Sequence, residues 1–170
     1  IEPLKSLLKK EGEFKYSTNQ IDNYYNSPVK DFLKANPIAE WLRVRNAEGK
    51  YTLNYKNWHY ESNGKSYYCD EYETEIGDID KTNAIFEALG FAPLVTVKKN
   101  REAWLFNNWE IALDTVEGLG NYVEMEYKGE EEVNAKEVCD KMIKWLKGIG
   151  CAKLEVYFDG YPHQLLFPHG

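Results

Sequence analysis

Four stretches of the chain alternate between apolar and polar positions: Leu42-Arg43-Val44-Arg45, Thr52-Leu53-Asn54-Tyr55-Lys56, Glu71-Tyr72-Glu73-Thr74-Glu75-Ile76 and Tyr122-Val123-Glu124-Met125-Glu126-Tyr127. A period of two sends neighbouring side chains to opposite faces of a strand, so each stretch predicts a strand with one charged face. Further strands are expected over Lys15 to Tyr24, Leu94 to Arg101, Trp104 to Phe106, Glu110 to Val116 and Lys153 to Phe158. Ala47-Glu48-Gly49-Lys50, Ser62-Asn63-Gly64-Lys65 and Asn107-Asn108 carry turn chemistry at hairpin distance. Helical spacing appears three times. From Glu2, with Pro3 tolerated in the first turn, Leu4, Leu7 and Leu8 share a face that ends at Gly12. A second helix is expected from about Asp80 to Leu89, capped by an aspartate, stopped at Gly90 and burying Ile85, Phe86 and Leu89. A third runs from about Val133 to Lys147 with Val138, Met142, Trp145 and Leu146 as its apolar stripe and Gly148 as its end.

The charges within the strands fall in blocks of one sign. Arg43 and Arg45 share a face, as do Lys99 and Arg101, while Lys56 follows Asn54 and Thr52 on its own side. Glu71, Glu73 and Glu75 form a row, Glu124 and Glu126 another, and Asp114 aligns with Ala112 and Glu110. Any one such strand reads as the solvent face of an antiparallel sheet. Ordinary surfaces mix their signs, however, and these do not. If the sheet closes on itself, the charged faces line a polar lumen, and that much buried charge requires a compensating ligand. Guanidinium groups suit bidentate phosphate binding and carboxylates suit Mg²⁺ or Mn²⁺, so a polyphosphate with a divalent metal answers both sets. The sequence has neither a P-loop nor a Gly-rich dinucleotide loop, so side chains would have to grip a nucleotide. Tyr55, Trp58 and Trp104 are read as packing residues that could also stack on an adenine.

Composition narrows the picture further. At 170 residues the chain fits one domain, 1–170, and its 13 Tyr, 7 Phe and 5 Trp lean toward strands. A net charge of −7 argues against a broad nucleic-acid surface, leaving room for a small polyanion in a sequestered basic pocket. No apolar run is long enough to cross a bilayer and no signal-like stretch opens the chain, so a cytoplasmic protein without a membrane partner is expected. Cys69, Cys139 and Cys151 are widely spaced and read as reduced packing residues. His59, His163 and His169 fall in loop-like or terminal contexts and are read as incidental.

Several strings then resemble a known family. Gln20-Ile21-Asp22-Asn23-Tyr24-Tyr25, Leu42-Arg43-Val44-Arg45 and Leu53-Asn54-Tyr55-Lys56 resemble the opening of the CYTH superfamily of triphosphate tunnel metalloenzymes. Glu73-Thr74-Glu75-Ile76, Leu89-Gly90-Phe91, Val97-Lys98-Lys99-Asn100-Arg101 and the run from Leu113 to Glu126 resemble its class IV adenylyl cyclase branch in order and spacing. The resemblance implies an α+β fold, an antiparallel barrel or tunnel of about eight strands with helices outside. It implies that Arg43, Arg45, Lys56, Lys99 and Arg101 bind the triphosphate, with Lys56, Lys99 and Arg101 also serving catalysis. Glu73, Glu75, Asp114, Glu124 and Glu126 would hold Mg²⁺ or Mn²⁺ directly or through water. The implied reaction converts ATP to cyclic AMP and pyrophosphate, and a homodimer is the implied assembly. Two other readings stay open: a triphosphatase acting on inorganic, thiamine or nucleoside triphosphate in the same tunnel, and a non-catalytic polyphosphate or nucleotide-binding protein. One departure stands out. The family's signature opens with a Glu-x-Glu-x-Lys strand before the first helix, whereas here Glu11-Gly12-Glu13-Phe14-Lys15 follows the helix and mimics that pattern out of place.

Overall fold

The computed structural model describes residues 1–151 and 154–168. In chain order it forms α1 (Glu2–Glu11), β1 (Glu13–Asn26), a short 3₁₀ turn (Phe32–Lys34), β2 (Glu40–Ala47), β3 (Lys50–Tyr60) and β4 (Ser66–Glu75). There follow α2 (Ile79–Leu89), β5 (Ala92–Phe106), β6 (Trp109–Val116), β7 (Gly120–Tyr127), α3 (Ala135–Gly148) and α4 (Tyr161–Leu166). The strands form one sheet in the order β4-β3-β2-β1-β5-β6-β7. The β1–β2, β2–β3, β3–β4, β5–β6 and β6–β7 pairs are antiparallel. The α+β antiparallel class expected from the alternation is therefore observed.

Seven strands are described, against the eight or so expected, and the difference has two sources. The segments at 94–101 and 104–106 are one continuous strand, β5, because the intervening Glu102 and Ala103 keep the ladder with Leu113 and Ala112. The expected strand at 153–158 is not one: residues 154–158 are irregular, and Lys153 lies outside the described residues.

The helices hold with adjusted ends. Asp78 rather than Asp80 caps α2, its carboxylate accepting from the Lys81 N–H at 3.0 Å. Gly90 closes it at φ 79°, a left-handed position that favours glycine. Burial on α2 is narrower than its spacing suggested. Phe86 alone is buried, its ring 5.0 Å from Tyr25 and 4.8 Å from Phe91, whereas Ile85 and Leu89 are 55% and 60% exposed. Gly148 is the last residue of α3 and Ile149 its cap. The sequence pattern missed α4, a helix of six residues with Pro162 in its first turn.

The chain divides into two compact units. Unit 1 comprises Ile1–Thr18 and Lys99–Tyr157. Its core is built from Leu4 and Leu8 of α1, Trp104 of β5, Ile111 and Leu113 of β6, Leu146 of α3 and the buried thiol of Cys151. Alternation explains which sheet face they occupy: Trp104, Ile111 and Leu113 point to the helices, so Arg101, Ala112 and Asp114 take the other side. Unit 2 comprises Asn19–Lys98 and Phe158–Gly170. There the hairpin between β2 and β3 turns on Glu48 and Gly49, at φ 52° and 90°, which fixes the register that brings Arg43 opposite Asn54 and Arg45 opposite Thr52.

Candidate functional site

Each unit builds a cation cluster on a strand face in the same way. In unit 2, Arg45 of β2 lies directly across from Asp22 of β1 and donates to both of its carboxylate oxygens, at 2.6 and 2.7 Å. Arg43 adds a second guanidinium, 3.7 Å from Asp22 and 3.3 Å from Glu73 of β4. Asn54 of β3, fully buried, donates its amide to Glu71 at 2.7 Å and to Glu73 at 3.2 Å, and Lys56 sits 3.3 Å from Glu71. Glu75 ends the carboxylate row, opposite Thr52.

In unit 1, Arg101 of β5 lies across from Asp114 of β6 and donates to it through Nε at 2.7 Å. Lys99 stands 3.6 Å from the same carboxylate, and Arg101 also bonds Glu124 of β7. Glu126 follows Glu124 on that face and pairs with Lys128 at 2.8 Å. The shared plan is a fully buried aspartate holding two cations, with glutamates of the next strands beyond them.

Burial separates the two signs. Arg43 and Lys99 are 7% exposed and both aspartates 1%, while Glu73 and Glu124 keep 45% and 49% of their side chains in solvent. Cations sequestered to that degree need anions around them. Two polar atoms on the unit 2 face, Arg43 Nε and Thr52 Oγ1, are buried and find no hydrogen-bond partner among the described residues. Such orphans are rare in folded proteins and mark a place where a further partner is expected.

Electrostatics agree with the contacts. For Arg101, burial alone disfavours the charge, but Glu124 and Asp114 outweigh it and hold the guanidinium above its ordinary range. For Glu71, burial pushes the carboxyl up, and Lys56 with the Asn54 amide overcomes it to keep the group below the usual carboxylate range. Tyr24, buried beside this cluster, is pushed up to about 12 by desolvation, with the Arg43 charge opposing. An acid whose folded pKa is raised keeps its proton while the unfolded chain loses one, so the protein loses stability as pH rises from about 10 to about 12. Tyr24→Phe is expected to remove about 2–3 kcal/mol of that alkaline loss, read as a flatter stability profile above pH 10 in urea titrations.

The ten residues singled out from sequence thus divide evenly: Arg43, Arg45, Lys56, Glu73 and Glu75 lie in unit 2, and Lys99, Arg101, Asp114, Glu124 and Glu126 in unit 1. Three residues that the structure brings into the unit 2 cluster were missed as site members, Asp22, Asn54 and Glu71. Their strand faces were legible, and the signal lay in the cross-strand register that puts Asp22 opposite Arg45. The histidine reading needs correction in context. His59 belongs to β3, 2.7 Å from Asp70 and stacked on Tyr68 on the face opposite Lys56, and His163 belongs to α4 against Phe167. His169 lies outside the described residues.

For a divalent metal, the donors are carboxylate oxygens, which suit a hard cation such as Mg²⁺ or Mn²⁺. No three His, Cys, Asp or Glu gather at ligand spacing among the described residues. Mg²⁺ does not require that, since it is usually held by one or two carboxylates with water and substrate phosphate completing its shell. The exposed pair Glu124 and Glu126 fits this role. Asp114, with its oxygens engaged by Arg101 and Lys99, is placed as their counter-ion.

No helix among the described residues is long and apolar enough to cross a membrane. Residues 2–156 match the model of the CYTH domain. A Methanocaldococcus jannaschii protein that carries the provisional name adenylate cyclase is 32% identical over 157 residues, 91% of this chain and 86% of that one. The solved Pyrococcus horikoshii protein PH1819 superimposes with a TM-score of 0.81 at 30% identity, covering 99% of this chain and 95% of that one. A Hippeastrum protein provisionally named an adenylyl cyclase, and described as having a dominant triphosphatase activity, shares the fold at a TM-score of 0.66 and 18% identity, with 98% and 88% of the two chains covered. By the family match over nearly its whole length and the identity of its archaeal relative, the chain belongs to the CYTH domain family.

Proposed function

We propose that the protein is a divalent-metal-dependent enzyme that binds ATP and converts it to cyclic AMP and pyrophosphate. The observation that carries this reading is the pair of buried cation clusters, each backed by a fully buried aspartate and flanked by solvent-accessible glutamates. Arg43, Arg45 and Lys56, and likewise Lys99 and Arg101, are the phosphate-binding cations. Asp22 and Asp114 hold their guanidinium groups in fixed orientation, so that little reorganisation remains when phosphate arrives. Glu73, Glu75, Glu124 and Glu126 are the residues that would hold metal. When bound, the metal supplies Lewis-acid polarisation of phosphoryl oxygens and a lowered pKa for the attacking hydroxyl.

The remaining chemistry falls to the chain's own side chains. In cyclisation the ribose 3′ oxygen attacks the α-phosphorus and negative charge grows on the departing pyrophosphate. Lys99 and Arg101, both desolvated beside Asp114, neutralise that charge where water cannot compete. No histidine is required. The name of the archaeal relative supports the cyclase. A second reading, hydrolysis of a triphosphate by water in the same site, draws support from the Hippeastrum protein of the same fold.

Incubation with ATP and Mn²⁺ is expected to release cyclic AMP and pyrophosphate in equal amounts, measured by chromatography. Orthophosphate from tripolyphosphate without a cyclic product would replace the cyclase with the hydrolase, and absence of both products would end the enzymatic reading.

A further inference from the structure

The polar face of β3 does not end at the cations. Thr52, Asn54, Lys56 and Trp58 alternate along one side of the strand, opposite Glu75, Glu73, Glu71 and Cys69 of β4. Trp58 is the next same-side residue after Lys56, whose ammonium stands 5.9 Å from the centre of the indole ring. Beyond Cys69 on the neighbouring strand comes Tyr67, whose ring meets Phe158 edge-on at 5.7 Å, and the Lys65 ammonium lies 5.2 Å from the Phe158 ring. One end of this unit 2 face is therefore aromatic, and it adjoins the cluster of Lys56, Asn54 and Arg43. Same-side residues on a strand are about 6.8 Å apart, so the row from Asn54 to Trp58 spans about 14 Å, the scale of an extended nucleotide.

The other aromatic candidates for a base are placed elsewhere. Tyr55 projects to the opposite face of β3, where its hydroxyl bonds Glu40 and its ring stacks on Tyr72. Trp104 is 8% exposed in the core beneath α1 and α3. Trp58 remains half-buried on the polar face. To an inorganic polyphosphate an indole in that position offers at most its single N–H donor. It offers a flat, electron-rich surface to a purine.

We infer that Trp58 is the specificity-determining residue of this site, stacking on the nucleobase while Lys56 and the arginines take the phosphates, which makes the preferred ligand class purine nucleoside triphosphates. The inference rests on the proposed triphosphate site and deepens it. The arrangement places base and phosphate ends of the ligand on one strand, so the discrimination between ATP and tripolyphosphate resides in a single side chain.

The test is equilibrium binding of ATP and of inorganic tripolyphosphate, each with Mg²⁺, to the wild type, Trp58→Ala and Trp58→Phe by titration calorimetry. Trp58→Ala is expected to weaken ATP about tenfold or more, the scale of one base–aromatic stack, and to leave tripolyphosphate within about twofold. Trp58→Phe is expected to recover part of the ATP loss, and saturating ATP to quench the wild-type indole fluorescence more than that of Trp58→Phe. Unchanged tripolyphosphate binding also shows that the variant is folded. Equal losses for both ligands, or none for either, would overturn the stacking role and leave the phosphate site standing. If the wild type bound neither ligand, the site itself and this inference would fall together.

Discussion

Replacing Asp22 by alanine is expected to destabilise the protein by about 3–5 kcal/mol, because it removes the buried anion that Arg45 bonds with both prongs and that Arg43 faces. For a chain of this size that corresponds to a drop in Tm of roughly 10 °C, measured by calorimetry or circular dichroism. The size follows from the geometry. Asp22 is 1% exposed and takes a two-pronged bond from Arg45, with Arg43 3.7 Å away. Glu73 still reaches Arg43 at 3.3 Å, so the loss falls chiefly on the two-pronged bond of Arg45. Asp22→Asn keeps the shape without the charge and is expected to lose less. A loss below about 1 kcal/mol in Asp22→Ala would mean that Arg45 reaches water freely and that its burial imposes no electrostatic demand.

Arg101→Ala is expected to lower kcat/KM for triphosphate turnover by about 10²–10³-fold, the effect of removing one fixed donor from a site that stabilises developing charge. The side chain joins Asp114 to Glu124, and those two carboxylates keep it protonated at any working pH. Neither limb of a pH–rate profile should therefore belong to it. The fold should tolerate the change better than it tolerates loss of Asp22, since Lys99 still faces Asp114 at 3.6 Å. Arg101→Lys keeps the charge but not the fork, and its rate should lie between the two. Turnover of Arg101→Ala within threefold of wild type, in a variant with an unchanged melt, would remove Arg101 from the site.

The strands were legible because alternation is a local signal. Arg43 and Arg45 share a face in any strand that contains them, whatever lies beside it, and the structure keeps them together. The same logic fixed Glu124 beside Glu126 and separated Lys99 and Arg101 from Trp104. Pairing was not local. Asp22 and Arg45 are 23 positions apart, and nothing in either string announces that one will face the other. Asn54 was hidden for a related reason: an amide in a polar row looks like a solvent residue until two glutamates from β4 converge on it.

The helices show the converse limit. Ile85, Phe86 and Leu89 form a good apolar spacing, yet burial depends on what packs against the stripe, and Phe86 is buried against Tyr25 and Phe91 while Ile85 and Leu89 stay exposed. The terminal segment failed differently. Residues 154–158 have the composition of a strand, but without a paired neighbour among the described residues that composition produces no ladder. Trp58 is the clearest case of a residue whose meaning needed coordinates, since sequence placed it beside Tyr55 and Trp104 and only the faces told the three apart.

Glu71, Glu73 and Glu75 are exposed along β4, and Glu124 and Glu126 along β7, the two strands that end the sheet order. An outermost strand is a template on which another molecule can add its own, and a row of like charges is one of the ways natural proteins discourage it. The carboxylates assigned above to metal therefore have a second consequence, in solubility. Variants that strip them to probe turnover also remove that guard, and acidification does the same by protonation, so such proteins should become prone to aggregate and lose soluble yield independently of any effect on catalysis.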